Sequence, residues 1–143
     1  MRYLDKSKYE RYNTEIDLEI IKQSMIERSK TLLQEYLKNN PLFSYAKYKD
    51  GRYYTVTQEK QQQLTKKLFS ATTKKMNKKE FTLTWNDTGN TNEKWTLEEL
   101  TQLSDEIEAY VDPLVLKQQQ IEVAIRDVAT LKELESIEIN YEY

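Results

Sequence analysis

Apolar positions along the chain switch between two rhythms, and the switches mark its elements. Leu18, Ile21, Met25, Leu32 and Tyr36 recur at three- and four-residue steps, with Ile26, Leu33 and Leu37 widening the stripe. This spacing predicts an amphipathic helix over 15–38. Thr14, with Asp17 three residues on, reads as its N-cap. Asn39-Asn40-Pro41 ends it, because the residue before a proline is pushed out of the helical region. Leu42 to Tyr48 and Arg52 to Thr57 then flank Asp50-Gly51, which predicts a hairpin with a two-residue type I′ turn. Thr57 can cap a second helix over 58–78, with Leu64, Leu68, Ala71 and Met76 on one side. Phe81-Thr82-Leu83-Thr84-Trp85 alternates strictly, as a half-buried strand does, and Asn86 to Asn90 is turn chemistry.

The second half opens on a capping box, Thr96-Leu97-Glu98-Glu99, preceded by Trp95 in the position of a hydrophobic staple. A helix therefore starts at 97 and carries Leu100, Leu103, Ile107, Tyr110, Leu114, Ile121 and Val128 on a heptad-like rhythm. Asp112-Pro113 interrupts it. Either the helix kinks at Pro113, or Asp112 caps a new helix with Pro113 in the first position, where proline is tolerated; the second geometry is the preferred reading. Thr130 with Glu133 repeats the capping pattern before a short turn over 131–136. Ile137 to Tyr143 alternates again and predicts a fourth strand, or one that orders only on an available sheet edge. The expected fold class is α+β: a long N-terminal helix, a β-hairpin, a central helix and a C-terminal strand–helix–helix–strand unit. Residues 1–80 and 81–143 form its two parts.

Composition narrows the chemistry. Apolar residues make up 38% of the 143 and charged residues 32%, the balance that helices with one apolar stripe give. Sixteen aromatics, two glycines and two prolines argue against disorder. No apolar run has the length of a membrane span and the N-terminus lacks a signal-peptide core, so a cytosolic origin without a membrane partner is expected. The chain has no histidine and no cysteine. That removes the side chain that titrates near neutrality, the imidazole ligand, the thiolate nucleophile and the disulfide. Asp105, Glu106 and Glu108, like Glu98 and Glu99, read as a solvated helix face rather than a catalytic pair across a cleft. Asn86 to Asn92 lacks the alternating acids and closing glutamate of a calcium loop, and two glycines are too few for a phosphate-binding loop. No catalytic residue, cofactor or metal is expected, and the chain reads as one that binds rather than as an enzyme.

The net charge of −2 conceals a split. Residues 1–80 hold 18 Lys/Arg against 10 Asp/Glu, and residues 81–143 hold 4 against 14. Seven lysines and no acid fall within 60–79. The halves can neutralise each other within one molecule, neighbouring copies can meet basic face to acidic face, or the lysine stretch can hold nucleic acid. The third reading is weakened by the acidic half, which repels phosphate, and by Phe69 being alone among the lysines. Eleven tyrosines supply rigid apolar area with a polar tip, suited to interfaces. Four of them, Tyr45, Tyr48, Tyr53 and Tyr54, crowd one hairpin and cannot all be core. With Lys74 and Lys75 in the lysine stretch and Tyr141 and Tyr143 on the terminal strand, they are the candidate partner-binding residues.

A resemblance adds to this. Phe81-Thr82-Leu83-Thr84-Trp85-Asn86, Gly89, Trp95-Thr96-Leu97-Glu98-Glu99-Leu100 and Tyr110-Val111 form one stretch of it. Gln119-Gln120-Ile121-Glu122, Ile125, Thr130-Leu131-Lys132-Glu133-Leu134 and Ile137-Glu138-Ile139 form the other. Their order over residues 81–143 resembles a domain of unknown function found in bacteriophage and prophage tail and tail-fibre-associated proteins. The resemblance carries no catalytic residues. It implies a non-enzymatic structural protein of a phage tail, baseplate or tail-fibre apparatus, made in the bacterial host cytoplasm and carried in the virion. Its partners would be other tail, baseplate or fibre proteins, or further copies of itself. The alternatives are a tail-fibre assembly chaperone absent from the mature particle and a phage-encoded nucleic-acid-binding regulator that uses the lysine-rich helix.

Overall fold

The computed structural model describes residues 15–142, so the Thr14 cap and Tyr143 lie outside the described residues. The elements run α1 (Glu15–Asn39), β1 (Leu42–Ser44), β2 (Arg52–Tyr54), α2 (Gln58–Met76), β3 (Thr84–Trp85), β4 (Glu93–Lys94), α3 (Leu97–Asp127) and α4 (Leu131–Glu135). The fold is α+β, with a long N-terminal helix, a central helix and two small antiparallel pairs, β1 with β2 and β3 with β4. Two compact units divide the chain, at places other than residue 80. One holds residues through Tyr36 and from Pro113 onward, and the other is Leu37–Asp112. Helices α1 and α3 each continue from one unit into the other.

In the first unit the helical stripes supply the core. Met25, Ile26 and Leu33 of α1 are buried, as are Leu114, Ile121 and Ile125 of α3 and Leu134 of α4. Polar groups inside this unit are matched. The buried Lys22 ammonium donates to the Arg126 carbonyl at 2.8 Å, satisfying an acceptor in the last turn of α3, where the helix dipole favours a cation. Ser29, fully buried, donates to the Ile26 carbonyl at 2.6 Å and accepts from the Gln118 amide at 3.2 Å. The cap on α4 is as expected: the Glu133 amide donates to Thr130 Oγ1 at 3.2 Å.

The second unit packs Trp85, Trp95, Tyr54, Val56, Leu64 and Leu103 into its core. Its capping box is complete. The Glu99 amide donates to Thr96 Oγ1 at 3.1 Å, and Glu99 Oε1 accepts from the Thr96 amide at 2.8 Å, so two orphan donors of α3 are satisfied. Helix α2 begins at its predicted cap, where Thr57 Oγ1 accepts from the Lys60 amide at 3.4 Å. It ends in a Schellman motif. The Lys79 amide reaches the Lys74 carbonyl and the Lys78 amide the Lys75 carbonyl, with Lys78 at φ 55 in the left-handed position that glycine usually fills.

Four local expectations differ from the structure. Helix α3 runs unbroken through Pro113. The hydrogen bond that proline removes belongs to the Ala109 carbonyl, and both residues are exposed, so water can take the missing place. Residues 137–142 pair with no strand, although their burial alternates as the sequence does: Ile139 and Tyr141 are buried, Glu138, Asn140 and Glu142 exposed. The segment is held by side chains instead of a ladder. Strand β4 was not expected; Glu93 and Lys94 are polar and exposed, and the turn before them returns the chain so that they sit opposite Trp85 and Thr84. The hairpin pairs only Leu42↔Tyr54, Phe43↔Tyr53 and Ser44↔Arg52, leaving residues 45–51 as its loop. A type I′ turn needs positive φ at both central residues. Gly51 has it, at φ 76, and Asp50 does not. The loop closes instead through the Gly51 amide donating to the Tyr48 carbonyl at 3.0 Å.

Candidate functional site

Strand alternation divides the hairpin into two faces. Ser44 and Tyr54 point inward and are fully buried. Ser44 donates to Glu106 Oε2 at 2.9 Å and accepts from the Ala46 amide at 3.0 Å, turning the chain away from β2. The Tyr54 ring meets Trp95 edge-on at 5.5 Å. Its hydroxyl has no hydrogen-bond partner among the described residues. Burial, and then the Asp87 carboxylate, push that phenol up to about 12.

The outward face carries an aromatic cluster. Phe43 and Tyr53 are directly opposed across the strands with ring centroids 4.9 Å apart, and Tyr45 stands edge-on to Phe43 at 5.1 Å. They are 41%, 57% and 61% exposed in that order. The Tyr45 and Tyr53 hydroxyls make no hydrogen bond among the described residues. Phe43 is seated on Gly51: a Cβ added to that glycine would run into the ring. The cluster is also held from beside. The Thr88 amide donates to the Tyr53 carbonyl at 2.8 Å, and Thr55 and Thr88 share a hydroxyl hydrogen bond at 2.9 Å, so the 86–90 turn clasps β2. Arg52 lies 4.6 Å from the centre of the Tyr48 ring, donates to Asp50 at 2.7 Å and to the Gly51 carbonyl at 2.7 Å, and approaches Asp87 at 3.7 Å. The Arg52 hydrogen bond holds the Asp50 carboxyl below its ordinary value. These contacts fix an exposed apolar surface before anything binds it, which lowers the ordering cost of association.

The candidate residues named from sequence therefore separate. Tyr45 and Tyr53 are surface, and Tyr48 is half-buried under Arg52. Tyr54 and Tyr141 are core and present nothing to a partner. Tyr141 donates its hydroxyl to the Ser29 carbonyl at 2.7 Å, lies near Tyr36 with centroids 6.3 Å apart, and is pushed by burial up to about 12. Phe43, absent from the sequence-based set, lies at the centre of the cluster; the expected two-residue turn would set Tyr48, not Phe43, opposite Tyr53, so the sequence carried no signal for it. Lys74 and Lys75 are exposed on α2, Lys75 3.9 Å from Glu98.

The lysine stretch also divides. Lys60 and Lys67 turn inward over Trp85, at 4.5 and 5.5 Å from its ring. Lys60 donates to Asn86 Oδ1 at 2.9 Å, and Lys67 donates to the Thr84 carbonyl at 2.8 Å and hydroxyl at 3.1 Å. Burial, and then the Lys60 charge, lower the Lys67 ammonium below its usual range. Both lysines fasten β3 to α2 and are lost to any phosphate-binding surface. Among the described residues no group of three or more acidic side chains is placed to hold a metal ion, and no helix is long and apolar enough to cross a membrane.

The fold and this face define a small α+β protein with an exposed cluster of three aromatic rings on its hairpin. No family model matches the chain, and no significant similarity links it to a curated protein or to a solved structure.

Proposed function

We propose that this chain is a non-enzymatic structural protein that docks onto another protein through the Phe43–Tyr45–Tyr53 face of its hairpin. The observation that carries the reading is that cluster: three large rings, two of them tyrosines, exposed and held rigid by Gly51, Arg52 and the 86–90 turn. Aromatic anchors of this kind dominate binding energy at protein interfaces. The narrower context is a phage or phage-like tail, baseplate or tail-fibre apparatus, with the chain carried in the particle. It rests on the sequence resemblance over 81–143.

The test is mass spectrometry of purified particles from cells producing the wild type and a Tyr45→Ser/Tyr53→Ser variant. The reading expects copies of the wild type in mature particles and a loss of at least roughly tenfold for the variant, the scale of removing one interface anchor. Absence of the wild type from particles, with the chain found instead on unassembled fibre, would replace the virion role by assembly assistance.

A further inference from the structure

A different surface of the Leu37–Asp112 unit points to a second partner. Helix α2 leaves Phe69 and Met76 75% and 78% exposed, seven residues apart and so on one face. Lys66 flanks Phe69 around the helix, whereas Lys74 lies about 140° from it. Lys66, Lys74, Lys78 and Lys79 are exposed and make no ion pair or hydrogen bond through their ammonium groups among the described residues. Two open hollows lie beside α2, on different sides of it. One, of about 770 Å³, is bordered by Lys66 and Phe69 together with Glu59. The other, of about 500 Å³, is bordered by Lys74, Lys79 and Phe81 together with Glu80. Each thus places lysine beside an aromatic ring. Lys78 adds a cation at a left-handed backbone position where glycine would be less strained.

The complement lies on the same chain. Asp105, Glu108 and Asp112 of α3 follow at steps of three and four, so they share one exposed helix face, with the exposed Ala109 leaving a gap among them. None of the three has an ion-pair or hydrogen-bond partner among the described residues. We infer that the Asp105–Glu108–Asp112 face of one copy docks on the Lys66–Lys74 side of α2 in a second copy of this chain. The carboxylates meet the lysines that the fold leaves unused: Lys66 and Lys74 lie eight residues apart on α2 and so about 80° apart around it. A duplex nucleic acid fits less well. Lys60 and Lys67 are committed to Trp85, Lys75 faces Glu98, and the acidic face on the same unit would repel phosphates.

Charge reversal tests this, with mass in solution as the readout. The full chain at about 100 µM is measured by sedimentation equilibrium at about 30 mM and about 500 mM salt, where screening differs strongly. Wild type should exceed the 17.2 kDa monomer at low salt and return to it at high salt. Lys66→Glu/Lys74→Glu and Asp105→Lys/Glu108→Lys should each be monomeric, with unchanged circular dichroism. Their equimolar mixture should associate again, since opposite faces then meet. A monomeric wild type at low salt, variants that associate as wild type does, or a mixture that stays monomeric would each overturn the proposal. So would retention of a short DNA duplex by wild type that is lost in Lys66→Glu/Lys74→Glu while self-association is absent. The aromatic hairpin is untouched in every arm, so failure here is separable from failure of the hairpin reading.

Discussion

The hairpin and the C-terminal segment look alike in sequence and end in opposite places. Both alternate, and both carry tyrosines among polar residues. In the hairpin, β1 finds a partner eight residues away in β2, and the outward rings of Phe43, Tyr45 and Tyr53 stay in solvent. In the C-terminal segment no strand is paired, yet Ile139 and Tyr141 go inward and Tyr141 finds the Ser29 carbonyl. Alternation therefore reports which side of an extended chain is covered, and says nothing by itself about ladder pairing. A tyrosine's fate follows from what its ring and hydroxyl meet.

This contrast can be broken most strongly at Tyr141. Replacing it by alanine should destabilise the protein by about 3–5 kcal/mol in urea unfolding, as for other large buried aromatics, whereas Tyr45→Ala should change stability by less than about 0.5 kcal/mol. Comparable losses at the two positions would undo the division into core and surface. Next in size is Gly51→Ala. The new Cβ meets the Phe43 ring at a backbone with φ 76, and the left-handed conformation alone costs about 1–2 kcal/mol. Near-ultraviolet circular dichroism should report the displaced ring, and an unchanged spectrum with unchanged stability would show that the cluster is not seated there.

Removing hydroxyls sharpens the same comparison. Tyr141→Phe deletes a buried hydrogen bond and should cost about 1 kcal/mol, while Tyr54→Phe deletes an unpartnered hydroxyl and should be near zero or stabilising. Both phenols are raised by burial from 10.0 to about 12. Below pH 10 the two are neutral in folded and unfolded chains alike, and their contribution is fully present. As pH rises from 10 toward 12 the unfolded chain ionises first, so that stability is lost over that window. Each Phe variant should flatten that fall in a pH series of melting temperatures. The smallest effect is at the end of α2: Lys78→Gly relieves the left-handed strain and should stabilise by about 0.5–1 kcal/mol.

Much of the helical frame was legible because its signals are local. The stripe over 15–38, Thr57, the Thr96–Glu99 box and Thr130 each mark an α-helix within a residue or two of where it lies. The strands were less legible because their pairing is set from a distance. Asp50-Gly51 promised a two-residue turn, but Ser44 bonding Ala46 and Arg52 bonding Asp50 open a longer loop. Glu93 and Lys94 carry no apolar signal at all. Asp112-Pro113 reads as a kink or as the start of a new helix, and the helix continues through it because the Ala109 carbonyl that loses its partner is exposed to water. For the candidate face, the crowding of tyrosines on one hairpin was visible. The choice between Tyr53 and Tyr54, adjacent in sequence and opposite in burial, depends on strand phase relative to a core that the sequence does not place.

The most direct measurement of the proposed docking role is hydroxyl-radical footprinting of the purified chain and of purified particles of the kind proposed to carry it. The account predicts that labelling of Phe43, Tyr45 and Tyr53 falls at least roughly fivefold on assembly, as expected for anchors that become desolvated, while Tyr141 stays weakly labelled in both states. Equal labelling of the three hairpin rings in both states would contradict it.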